Sequence, residues 1–134
     1  MKKYTILLFL MFAVKSFAQV TKYRSESVVE VESTENGDKY SGSKKDNTLI
    51  IFDITNRKIT VYENGNKIFN IIKSRSYPDE NNNQWTQFNC KNEKGEKMNI
   101  EIVKYAKPKN EVETQVIIKN LSEAFIYDVN EIQN

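Results

Sequence analysis

The stretch Asp79-Glu80-Asn81-Asn82-Asn83 sets oxygen-bearing side chains at alternate positions, Asp79, Asn81 and Asn83, the spacing that opens a calcium loop. The rest of that motif is missing. Its sixth position is Gln84 instead of glycine and its twelfth is Cys90 instead of glutamate, so both the sharp turn and the bidentate ligand are lost. The segment therefore reads as a polar loop whose Asp and Asn side chains bond nearby backbone, and no metal is assigned to it. Tyr77 precedes the loop and Trp85 follows it, placing amphipathic aromatics beside polar groups, as at a cavity rim or a partner-binding surface. Tyr77, Asp79, Asn81, Asn83 and Trp85 are the candidate partner-binding residues.

Other reactive chemistry is sparse. The chain has no histidine, which removes Ser-His-Asp and Cys-His catalysis and every His-ligated zinc site. Glu101 and Glu113 fall on the polar faces of consecutive predicted strands, and two facing carboxylates are what a glycosidase needs. Alternation in a solvated sheet face explains them more simply, with Lys104 or Lys119 as partners. Cys90 is the single cysteine, so no disulfide forms within the chain, and in a predicted strand it reads as a small buried hydrophobe. No catalytic residue and no cofactor is assigned, and a carboxylate-dependent hydrolase is the least favoured reading.

Residues 1–18 have the three parts of a secretory signal peptide: Lys2-Lys3, an apolar run from Ile6 to Val14, and the small-x-small site Ser16-Phe17-Ala18. Cleavage after Ala18 would leave one domain, residues 19–134, exported to the periplasm or beyond. The apolar run is shorter than the roughly 20 residues that span a bilayer, and no later stretch qualifies, so no transmembrane segment is expected. Loss of Lys2, Lys3 and Lys15 lowers the basic count from 20 to 17 against 18 acidic residues, a net charge of −1. A near-neutral chain offers no general attraction for nucleic acid.

Beyond residue 18 there are 13 Ile and 9 Val but only 2 Leu, a composition that suits pleated sheet and not amphipathic helix. Eight strands are expected, over residues 22–32, 48–54, 58–63, 66–73, 84–91, 97–105, 112–119 and 123–129. Thr48 to Ile54 is almost continuously apolar and is expected to be covered on both faces. Asn64-Gly65 marks a tight hairpin, and Gly95 a turn with a left-handed residue. Residues 33–47 and 74–83 read as loops, the former with a short pairing near Asp38 to Ser41, and both Pro78 and Pro108 fall outside the strands. The expected architecture is an all-β antiparallel meander, closed as a small barrel or folded as a sandwich.

A histidine-free exported sheet protein points to binding instead of catalysis. The leading expectation is an interaction module recognising a protein or cell-envelope component through the Tyr77 to Trp85 loop, for example a periplasmic inhibitor or immunity-type protein. The alternative is a lipocalin-like carrier of a small apolar ligand, although the first strand lacks the Gly-x-Trp usual in that family. Such a carrier would have a cavity lined by residues such as Ile51, Phe69, Ile100 and Val116.

Overall fold

A computed structural model describes residues 20–133; the expected signal peptide lies outside them. The described residues are all-β. Ten strands run β1 (Val20–Thr34), β2 (Gly37–Tyr40), β3 (Lys44–Lys45), β4 (Leu49–Asp53), β5 (Lys58–Glu63), β6 (Gly65–Pro78), β7 (Gln84–Lys91), β8 (Lys97–Lys109), β9 (Val112–Lys119) and β10 (Glu123–Glu131). From β4 to β10 each strand pairs antiparallel with the next, β4 also pairs with β1, and β1 pairs with β10. Eight strands thus close into a barrel, and β2 and β3 add to one edge of β1. Barrel, not sandwich, is the closure.

The inner positions are the apolar halves of the alternating strands. Ile50 and Phe52 of β4, Ile59 and Val61 of β5, Phe69 of β6, Phe88 and Cys90 of β7, Ile100 and Ile102 of β8, and Val116 and Ile118 of β9 form one core with Tyr23, Tyr127 and Val129. Phe52 sits between two other rings, with Tyr23 edge-on at 5.6 Å and Phe88 tilted at 5.4 Å. At the barrel's middle Ile100 and Val116 are completely buried. The centre is packed, as a barrel of this strand number allows.

Several boundaries differ from expectation for reasons that depend on the partner strands. β6 continues through Ser74 to Pro78, because a bulge at Ile72 shifts the register between Ile71 and Lys73 and the strand keeps pairing with β7. Tyr77 is therefore a strand residue opposite Trp85, and the true loop is only residues 79–83. Both prolines lie within strands, Pro78 at the end of β6 and Pro108 near the end of β8, where pairing with β9 is irregular between Lys104 and Lys109. Proline is tolerated there since no regular ladder bond is lost. β4 is not covered on both faces: Ile50 and Phe52 point inward, whereas Leu49 and Ile51 are only half-buried on the outer wall. A closed single sheet has no second layer to cover them.

The pairing within residues 33–47 is real and lies at Gly37–Tyr40, opposite Val31 to Thr34. Gly65 and Gly95 both have positive φ, 84° and 82°, as their hairpin turns require. A second bulge, at Glu26, moves the register of β1 on β10 between Ser25 and Ser27. It reverses the alternation, so Tyr23 and Ser25 point inward before it and Val28 and Glu30 share the face of Tyr127 and Phe125 after it.

Candidate functional site

One end of the barrel is open. The hairpin turns after β5, β7 and β9 surround a cavity of about 500 Å³ whose lining includes Val61, Phe69, Met98, Ile118, Phe125 and Tyr127. These are inward positions of β5, β6, β8, β9 and β10, so alternation alone delivers an apolar floor. Tyr23, Phe52 and Phe88 do not line it; they fill the barrel further in. The rim is polar: Glu63 and Asn66 from the β5–β6 hairpin, Asn92, Glu93, Lys94 and Glu96 from the β7–β8 turn, and Asn120 and Glu123 from the β9–β10 turn.

Tyr127 joins floor to rim. Its ring is buried, and the Glu63 carboxylate lies near enough to act on its phenol. Burial above all, with Glu63, Asp46 and Glu30 nearby, pushes its pKa well above the ordinary tyrosine value. The phenol is therefore neutral at physiological pH. Glu63 also has Lys67 Nζ at 3.8 Å, a long contact between partly exposed groups.

The cavity differs from the one expected. Phe69 lines it, but Ile100 and Val116 belong to the packed centre, and Ile51 is on the outer wall opposite Lys22 and Thr60. Met98, Phe125 and Tyr127 were missed as site residues. Their inward positions were legible from alternation, but which end of the barrel stays open depends on strand lengths and turns around the whole circumference.

The loop proposed for partner binding lies at the opposite end of β6 and β7, and its polar groups are used internally. Asp79 Oδ1 accepts from the backbone N–H groups of Asn81 at 2.8 Å and Asn83 at 3.0 Å. Its Oδ2 accepts from Asn83 Nδ2 at 3.0 Å and Trp85 Nε1 at 2.9 Å. The Trp85 indole foremost, joined by the Asn83 side chain and the Asn83 and Asn81 backbone, holds the Asp79 carboxyl below its ordinary pKa, against an upward push from desolvation second in size only to the indole. Asn83 Oδ1 accepts from the Ala106 N–H, tying the loop to β8. This is a carboxylate caged by donors, whereas a cation needs surrounding acceptors. No cluster of His, Cys, Asp or Glu suited to a metal occurs among the described residues. Asn81 is exposed and, by its side chain, does not join this cluster.

On the outer wall beside the loop, Tyr77 and Trp85 are cross-strand neighbours, Arg75 stacks over the Tyr77 ring at 5.0 Å, and Trp85 stands opposite Val103. Polar ladders continue around the wall. Arg75 donates to Gln87, Gln87 donates to Glu101, and Lys119 pairs with Glu101. Tyr105 bonds Gln115, which donates to Asp128, which accepts from Ser27.

Glu101 and Glu113 do not form a pair. Ile117 stands opposite Glu101, and Glu113 lies four residues further along β9, roughly 13 Å away at strand rise. That exceeds the spacing of either glycosidase geometry. Asp53 is equally engaged, accepting from the backbone and side chain of Asn56 in the β4–β5 turn. Cys90 is buried, and burial raises its thiol pKa to about 12. No helix among the described residues is long and apolar enough to cross a membrane. No known family model, curated protein or solved structure matches this chain.

Proposed function

We propose that this chain is a small exported binding protein, without a catalytic role, that takes an apolar or amphipathic molecule into the open end of its barrel. The observation that carries this reading is the cavity of about 500 Å³ floored by Phe69, Met98, Phe125 and Tyr127. Its volume falls in the range of small-molecule sites, and an apolar floor under a few polar groups is their usual composition. The packed centre limits the depth of insertion, so the ligand rests in the mouth and keeps a polar end at the rim. Export is supported by the organisation of residues 1–18.

Displacement of a neutral fluorescent probe such as N-phenyl-1-naphthylamine tests the site. Saturable binding is expected, with loss in Met98→Trp, which fills the mouth, at unchanged far-UV circular dichroism. Binding that survives this substitution places the ligand elsewhere.

A second reading has its own observation. Arg75, Tyr77 and Trp85 form an aromatic and guanidinium cluster on the outer wall, the residue types that dominate protein-binding hot spots. A protein partner bound there would lose affinity in Tyr77→Ala and Arg75→Ala but not in Met98→Trp. Co-purification followed by size-exclusion chromatography separates the two sites.

A further inference from the structure

The mouth is unevenly charged. Among its lining residues Glu63, Glu93, Glu96 and Glu123 face two cations, Lys67 and Lys94, leaving a net −2. The Glu63 to Lys67 contact at 3.8 Å is too long and exposed to neutralise this carboxylate. Glu63 lines the mouth together with the buried Tyr127, and among the nearby carboxylates it acts most strongly on that phenol. Asp46 and Glu30 act on the same phenol from the β1 side, so their negative field adds to that of Glu63. In a cavity with apolar walls such a field is screened less than in water.

We infer that the mouth selects a cationic amphiphile, with an apolar chain or ring on Phe69, Met98 and Phe125 and an ammonium held at Glu63. This rests on the mouth being the ligand site. An anionic amphiphile of the same chain meets four carboxylates at the rim, and a neutral one gains nothing from them. Glu63 is suited to the role by position: it lines the mouth beside Tyr127, and its side chain remains partly exposed. Glu123, on the opposite hairpin, closes the acidic rim.

Isothermal titration calorimetry with three probes of one chain length, each below its micelle concentration, tests the inference: dodecyltrimethylammonium, dodecanoate and dodecyl maltoside. At low salt the ammonium probe is expected to bind ~10-fold or more tightly than dodecanoate, with the advantage shrinking as salt rises. Glu63→Gln should weaken the ammonium probe several-fold while leaving dodecyl maltoside unchanged, and Glu123→Gln, at an exposed position, should act in the same direction. Dodecanoate binding as tightly as the ammonium probe would overturn the charge inference and leave the mouth as a ligand site. Equal loss of all three probes in Glu63→Gln would also overturn it, because that reports a collapsed mouth. Binding of none of the three overturns the mouth itself.

Discussion

The indole N–H of Trp85 donates to Oδ2 of Asp79 at 2.9 Å, closing the β6–β7 hairpin around a carboxylate that also accepts three bonds from Asn81 and Asn83. The loop that looks from its residue types like a recognition element is held rigid by its own donors. Its polar groups are committed to structure, as Asn92 and Asn120 are in the turns of the mouth.

Asp79 has a depressed folded-state pKa, so it contributes stability that is present above its unfolded value, about 4, and is lost as pH falls through the folded value. Urea midpoints of the native chain and Asp79→Asn should differ at neutral pH, with the native chain higher, and converge in strong acid. Trp85→Phe should raise the Asp79 pKa toward the ordinary carboxylate, read by carboxyl carbon NMR. Equal midpoints at neutral pH would show that the cage carries no stability.

Glu101 is 3% exposed on the outer wall, with Lys119 Nζ at 2.5 Å and Gln87 Nε2 at 3.2 Å. Lys119→Met leaves a buried carboxylate with one neutral donor and should cost about 1–3 kcal/mol, moderated by the partial exposure of Lys119. Adding Glu101→Leu to Lys119→Met should recover much of that loss. Chemical denaturation of the single and double variants measures the coupling.

Phe52 lies between the rings of Tyr23 and Phe88 in the packed part of the barrel, and Phe125 is only partly buried at the mouth. Phe52→Ala should cost about 3–5 kcal/mol, while Phe125→Ala should cost less because the site is already open to water. Ligand binding should show the opposite order, with Phe125→Ala the more damaging. A thermal melt and a probe titration on each variant give both rankings.

Cys90 is buried with its thiol pKa raised to about 12, so almost no thiolate exists at neutral pH. A chromogenic disulfide reagent should leave the folded protein unlabelled and modify one thiol per chain in denaturant. Rapid labelling of the folded state would mean that β7 opens locally.

Strand positions, turn glycines and the all-β class are written locally in this sequence. Met98 and Ile100 alternate with polar neighbours in β8, and the turn preceding it demands the left-handed Gly95, so neither needs information from distant residues. What the sequence leaves open is whatever depends on strands far apart in the chain. Closure requires β1 to pair with β10, as in the bond from Ser27 to Asp128 across 101 positions, and no periodicity reports such a pairing. The bulges at Glu26 and Ile72 are likewise visible only as register shifts against a partner strand, yet they carry Tyr77 into β6 and turn Val28 and Glu30 to the face of Tyr127 and Phe125. Composition and alternation determined that an apolar interior exists. Only the closed sheet decided that Phe52 and Ile100 fill it while Phe69, Met98, Phe125 and Tyr127 surround an opening, because the height of each inward residue is set by the stagger of all eight strands.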